Sequence, residues 1–170
     1  MDNQELYLRD AVWEDMDTLF QWANDPDVRR NSFCTNKISL EEHVEWFTNL
    51  LGDNNIKQYI LVHNGTDIGQ IRICIQGNQA EIGYSIASQY RCMGYGKYML
   101  YLLAEKVKKD FPQIEKLTAQ VKPGNMASKK AFIDLGYTEK CSVYELEMTN
   151  ENKMLGGGEI PERGNPVFNK

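Results

Sequence analysis

Apolar and polar positions along this chain first alternate, then wind at helical spacing, then alternate again, and each change of period marks an element. Residues 5–9 alternate as a short strand, and 13–23 carry Met16, Leu19, Phe20 and Ala23, with Val12 just ahead of them, on one helical face. Asp25-Pro26 breaks that helix, and a loop is expected over 29–37. Ser39-Leu40-Glu41-Glu42 has the form of a capping box, and Leu40, Val44, Phe47 and Leu51 then make one apolar stripe. Runs at 59–63 and 67–76 flank Asn64-Gly65-Thr66, which predicts a hairpin. Ile71, Ile73 and Ile75 alternate with Gln70, Arg72, Cys74 and Gln76, and Gly77-Asn78 leads into a third antiparallel strand over 79–87.

The next helix, over 96–109, buries Leu100, Leu103, Ala104 and Val107 and ends before Phe111-Pro112. A short strand over 116–121 passes through Pro123-Gly124 to a helix at 125–135, where Ala127, Ala131 and Leu135 recur every four residues and Gly136 is a left-handed cap. A last strand is expected over 137–148. The order gives an α+β chain: a mostly antiparallel central sheet flanked by helices, with one parallel pairing where the helix after Gly94 crosses over. A single domain is expected over 1–150, followed by a Gly-rich tail at 151–170 that contains Gly156-Gly157-Gly158.

Composition narrows the class. The 170 residues suffice for one domain with a substantial core. No apolar run approaches the roughly 20 residues of a membrane span, and the start Met1-Asp2-Asn3-Gln4 lacks the features of a signal peptide. Cys34, Cys74, Cys92 and Cys141 are widely spaced, and with only 2 His neither a disulfide framework nor a metal site is indicated. The expectation is a cytoplasmic protein with free thiols. Charge is uneven: residues 1–50 hold 11 acidic and 4 basic side chains, net −7, while 51–170 hold 13 and 15, net +2. The acidic first third argues against non-specific nucleic-acid binding, and the more basic remainder suits an anionic cofactor.

Candidate chemistry begins at Arg91-Cys92-Met93-Gly94-Tyr95-Gly96, an R-x-x-G-x-G turn between an apolar strand and a long helix. Two glycines let an anion approach the backbone, and the N–H groups opening the helix point at it, so the turn is a candidate pyrophosphate cradle. It is not a Walker loop, since Lys97 is followed by Tyr98 and no Gly lies five residues before Gly94. A Rossmann fingerprint fails as well, because position 99 is Met and a second-strand acidic residue is missing.

Strand, turn, helix, strand, the helix beginning at Asn125 and Leu135-Gly136-Tyr137 together resemble the GNAT N-acetyltransferase superfamily over roughly residues 5 to 148. The resemblance implies acetyl-CoA as cosubstrate. It places the pantetheine arm and thioester carbonyl at backbone groups of Tyr84, Ser85 and Ile86, and the pyrophosphate at Arg91, Cys92, Met93, Gly94, Tyr95, Gly96 and Lys97. Asn125 and Lys130 would serve the pantetheine and nucleotide phosphate. Members that acetylate ribosomal protein N-termini carry a Glu base five residues before this Asn and a Tyr acid seven after it; here those positions hold Gln120 and Phe132, neither of which exchanges a proton. The remaining candidate base is Glu81, either a base or substrate contact or the partner of Arg72 in a salt bridge. Tyr84 and Tyr137 are the phenols nearest the expected reaction centre.

The segments around Trp22-Ala23-Asn24-Asp25-Pro26 and Ile38 to Phe47, with Ile68-Gly69-Gln70-Ile71-Arg72, resemble amino-sugar N-acetyltransferases of pseudaminic acid-type surface-sugar biosynthesis. That resemblance implies a nucleotide-linked 4-amino sugar as acceptor, with Arg29, Arg30 and Arg72 on its diphosphate and Trp46 or Phe33 stacked on a ring. His43 would bond a sugar hydroxyl, or else is a satisfied core histidine. The acidic first third points instead to a polyamine or a cationic peptide N-terminus, and a non-catalytic acyl-CoA-binding module is the third alternative. The partner expected is a small-molecule amine, with no nucleic acid, membrane or metal, and a homodimer is left open.

Overall fold

The computed structural model describes residues 5–140. Strands β1 (Leu6–Asp10), β2 (Ile56–His63), β3 (Thr66–Gln76), β4 (Gln79–Ile86) and β5 (Lys116–Ala119) form one sheet in chain order. All neighbours are antiparallel except β4 and β5. The parallel step is bridged by α4 (Tyr95–Asp110), as the sequence requires. The expected hairpin forms on Asn64 and Gly65, both at positive φ (48° and 75°), the geometry of a two-residue turn whose twist matches its strands.

The register slips by one between Leu61↔Gly69 and Val62↔Asp67, so Ile68 is the extra residue of a bulge. Both Ile68 and Gly69 are consequently buried although adjacent in sequence. A Cβ at Gly69 would lie 2.8 Å from the Ser85 carbonyl oxygen and 2.9 Å from Ile86 Cδ1, so β3 and β4 approach here as only glycine permits.

One sheet face is fully covered. Tyr59, Leu61, Ile71, Ile73, Ala80 and Ile82 pack with Met99, Leu100, Leu103 and Val107 of α4 and with Phe132 of α5 (Met126–Ile133). On the other face Ile60 and Val62 meet Leu19 of α1 (Met16–Ala23) and Phe47 and Leu50 of α3 (Leu40–Gly52). Across β3 and β4 that second face turns polar: Gln70 stands opposite Ile60 and Ser85, Arg72 opposite Gln58 and Gly83, and Cys74 opposite Glu81.

Several expectations shift in detail. The first helix opens as a 3₁₀ turn, Trp13–Asp15, pinned by Arg9, which donates to both Asp15 oxygens at 2.6 and 2.7 Å and to Asp67 at 2.7 Å. The start of the expected 29–37 loop is helical: α2 (Pro26–Asn31) begins at Pro26, with the Asp25 carboxylate accepting from the Asp27 and Val28 amides. The α3 stripe is His43, Phe47 and Leu50, while Leu40 and Leu51 are exposed. In α5 the inward positions are Ser128 and Phe132, and Ala127 faces solvent. Met99 joins the α4 core in place of Ala104, which is only half-buried. Residues 137–140 carry no strand, and the rest of the expected 137–148 strand and the tail lie outside the described residues.

Candidate active site

The pairing of β4 with β5 runs only from Gln79↔Lys116 to Ile82↔Ala119. Beyond it the β4–β5 pairing stops, and Gly83 to Ile86 have β3 as their one paired strand among the described residues. Tyr84, Ser85 and Ile86 therefore lie on the part of β4 that has no β5 neighbour, and there the Ile86 carbonyl accepts from Arg91 Nε at 2.9 Å. The chain then passes through a 3₁₀ turn (Ser88–Tyr90) to an extended Arg91, a left-handed Cys92 (φ 61°) and a left-handed Gly94 (φ 85°) before α4 starts.

Left-handed residues interleaved with ordinary ones turn successive N–H groups toward one concavity. The Lys97 and Tyr98 amides fold back onto the Gly94 carbonyl at 3.1 and 3.3 Å. Those of Met93, Gly94, Tyr95 and Gly96 make no hydrogen bond among the described residues. Four uncommitted donors at the positive end of a 16-residue helix fit a diphosphate. The two glycines serve different ends. A Cβ at Gly94 would meet nothing within 4 Å, so that residue is required by its φ, whereas a Cβ at Gly96 would press to 3.3 Å of the Tyr84 ring. Lys97 is exposed and reaches Asp134 at 3.5 Å.

Arg91 faces away from the turn it introduces. Its Nη2 lies 2.7 Å from Asp25, its Nη1 2.9 Å from Asp27, and its Nε donates to the Ile86 carbonyl at 2.9 Å. Burial would raise the Asp25 carboxyl, yet Arg91 and the Val28 and Asp27 amides hold it below the ordinary 3.8. Lys122, before the Asn125 helix, donates from Nζ to the Arg30 carbonyl at 3.1 Å. The sequence sets Asp25 and Asp27 only within the segment likened to the acceptor side, with Asp25-Pro26 as a break, and does not single out Lys122; none of these contacts is expected from it.

The residues expected on the acceptor side divide. Arg29 donates to the Cys34 and Asn36 carbonyls and to Ser32 Oγ, stitching the following loop to α2. Arg30 is paired with Asp27. His43 is buried at 1% exposure, with Nε2 3.1 Å from the Met16 carbonyl and its ring stacked on Phe47; burial pushes its imidazole below the ordinary 6.5. Phe33 is exposed. Arg72 differs from all of these: its guanidinium lies over the Trp46 ring, 5.5 Å from the centroid, with no carboxylate partner among the described residues. Its Nη2 sits 3.9 Å from where a Cβ on Gly83 would be.

Glu81 is exposed on this polar face and pairs with neither Arg72 nor any other cation among the described residues; Gln120 Nε2 reaches its two oxygens at 3.3 and 3.4 Å. Gln120, at the position compared above with the Glu of ribosomal-protein N-terminal acetyltransferases, is thus in contact with a carboxylate from the adjacent strand. A further chain crosses the sheet here, from Gln58 to Gln70 Oε1 and from Gln70 Nε2 to Ser85 Oγ at 3.1 Å.

Both candidate phenols flank Phe132. Tyr84 meets it edge-on at 5.8 Å and Tyr137 at 5.0 Å. Burial raises both above the ordinary 10.0, with a Ser128 hydrogen bond opposing the rise at Tyr84. The Tyr137 hydroxyl is buried without a partner among the described residues. Asn125 caps α5, its Oδ1 accepting from the Ser128 amide at 3.2 Å, and Lys130 is exposed on the same helix.

Known structures share this architecture. A domain from Methanocaldococcus jannaschii DSM 2661 aligns with a TM-score of 0.74 at 20% identity, covering 84% of this chain and 94% of that one. The aminoglycoside acetyltransferase AAC(6')-Ib in complex with coenzyme A gives 0.71 at 18%, covering 82% and 87%. Spermidine N-acetyltransferase from Vibrio cholerae, in complex with CoA and spermine, gives 0.71 at 17%, covering 80% and 82%. At such identities the likeness establishes the fold. No curated protein matches the chain significantly. The model of the acetyltransferase (GNAT) domain matches residues 5–138, and the chain belongs to that family of acetyltransferases.

Proposed function

We propose that this acetyltransferase moves the acetyl group of acetyl-CoA to the primary amine of a small anionic acceptor, a nucleotide-linked amino sugar. One observation carries the reading: Arg72 presents a half-buried guanidinium with no carboxylate partner among the described residues, braced on Trp46 beside the point where β4 leaves β5. A bare guanidinium in that setting favours a phosphate or carboxylate on the ligand. Arg29 and Arg30 drop out of the expected diphosphate clamp, since both are engaged within α2 and its loop. The acidic first third is a weaker guide than its sum of charges suggests. Asp15 is spent on Arg9, Asp25 and Asp27 on Arg91, and Glu42 on the α3 cap.

Acetyl-CoA supplies an activated acyl group and a thiol leaving group. The amides from Met93 to Gly96 bind its diphosphate, and the open edge of Tyr84, Ser85 and Ile86 orients its arm and polarises the carbonyl. Glu81, held by Gln120, takes the proton that the acceptor ammonium must lose before it attacks. Tyr137, protonated at neutral pH and with an uncommitted hydroxyl among the described residues, returns a proton to the departing sulfur.

The test is release of free thiol from acetyl-CoA against nucleotide amino sugars, polyamines and N-terminal peptides, with products read by mass. A nucleotide amino sugar should lead. Arg72→Ala should raise its KM about tenfold to a hundredfold, the worth of one charge-assisted contact, and leave the acetyl-CoA KM unchanged. A polyamine or peptide that outcompetes every nucleotide sugar would overturn the reading.

A further inference from the structure

The helix α2 has no buried residue. Six residues do not sustain a helix alone, so α2 is held by what its ends touch. Besides its own cap, its neighbour α1 and the loop that Arg29 stitches to it, α2 is held by the two segments that border the cofactor site. Arg91, at the mouth of the turn, gives Nη2 to Asp25, Nη1 to Asp27 and Nε to the Ile86 carbonyl. Lys122 gives Nζ to the Arg30 carbonyl. One guanidinium thereby joins the end of the open strand, the entrance of the diphosphate turn and the first turn of α2.

We propose that α2 is tethered to the cofactor turn rather than packed on the core, and that binding of coenzyme A fixes it in place before an acceptor arrives. Arg91 is then a positioning residue whose side chain reads the state of the turn. Its two carboxylates already satisfy its charge, and an anion seated on the Met93–Gly96 amides acts on it through the backbone. Ordering Cys92 and its neighbours fixes the Arg91 Cα, and the fixed guanidinium fixes Asp25 and Asp27. Neither pair is fully exposed: Arg91 is 25% accessible, Asp25 20% and Asp27 48%. The tether is therefore less screened than a surface pair. By linkage, whatever ordering the cofactor brings to α2, an acceptor that orders α2 returns to cofactor affinity. The inference rests on the turn holding coenzyme A and is independent of which amine is acetylated.

Hydrogen exchange of the full chain, with and without saturating coenzyme A, tests it. In the parent protein, coenzyme A should slow exchange at the 93–96 amides. It should also slow exchange about fivefold to a hundredfold at the α2 amides bonded within the helix, Arg29 to Asp25 and Ser32 to Arg29. Asp27→Asn should keep the first effect and lose the second. Asp25→Asn, which keeps a good N-cap, should do the same, while Arg30→Gln, which breaks only the pair inside α2, should retain both. A purely structural tether would speed α2 exchange equally with and without coenzyme A, and that result overturns the proposal. So does protection of α2 that survives both Asp substitutions, or a parent protein protected at the turn alone. Absence of protection at the turn itself would instead remove the cofactor assignment, and the proposal with it.

Discussion

Replacing Gly69 by Ala puts one methyl group where the backbone of β4 already lies. The added Cβ would stand 2.8 Å from the Ser85 oxygen, 2.9 Å from Ile86 Cδ1 and 3.3 Å from Ile86 Cα. Carbon contacts are comfortable from about 3.5 Å, so the strands must separate locally by roughly half an ångström. Ile86 Cδ1 can rotate aside, but the Ser85 carbonyl is held in the β3–β4 ladder. Overpacking of this kind costs about 1–3 kcal/mol, which for a chain of this size lowers Tm by roughly 2–12 °C. The displaced residues are two of the three assigned to the pantetheine arm, so coenzyme A should bind about tenfold more weakly, with the loss specific to β4. Calorimetry with and without coenzyme A measures both. Gly96→Ala is the internal comparison: its Cβ meets only the edge of the Tyr84 ring, at 3.3 Å, and gains helix propensity, so it should be nearly neutral for stability. A Gly69→Ala protein with parental Tm and parental coenzyme A affinity would show that β3 and β4 do not approach this closely.

Glu81→Gln should lower turnover at neutral pH by roughly 10²-fold or more with coenzyme A affinity unchanged; parental kcat would move proton removal to another group. Gly94→Val should weaken coenzyme A binding, because a β-branched residue resists φ 85° and the nest would open; an unchanged dissociation constant would place the diphosphate elsewhere. Burial holds His43 below its ordinary 6.5, so below that pH the unfolded chain binds more protons than the folded one. Its share of stability is complete above about 6.5 and is lost as pH falls toward the folded value. His43→Gln should accordingly flatten Tm against pH just below 6.5, a range above that in which the depressed Asp15 and Asp25 carboxyls act; equal slopes would contradict the burial argument.

What could be read from the sequence was what local chemistry specifies. The capping box at Ser39, the Asn64-Gly65 hairpin, the left-handed Gly136 and the crossover helix each depend on a few adjacent residues, and each formed where expected. The α3 stripe was displaced because His43 was counted as polar, although its ring nitrogen is satisfied by Met16 and its ring is packed as an aromatic. The α5 face was misjudged because alanines at regular spacing contribute little burial, while Phe132 alone decides which side turns inward. Helix α2 escaped a search for periodicity since it has no apolar stripe, only a cap and a proline. Arg91 and Asp27 are 64 positions apart, and nothing in the spacing of charges announces that pair. The same blindness made Arg29, Arg30 and Arg72 equivalent in sequence, where only packing separates the engaged guanidinium groups from the bare one.

Because α1 and α3 bury Ile60 and Val62 of β2 while the same sheet face turns polar on β3 and β4, mutation meets two kinds of position in this chain. At Gly69, Gly94 and the α4 core, a change disturbs backbone geometry or opens a void, so the donor half tolerates little drift. Arg72 and Glu81 belong to neither apolar cluster, and exchanging them leaves both clusters intact. Under the proposed function, a lineage built on this scaffold trades one amine for another by substitutions along β3 and β4 while inheriting its acyl donor unchanged.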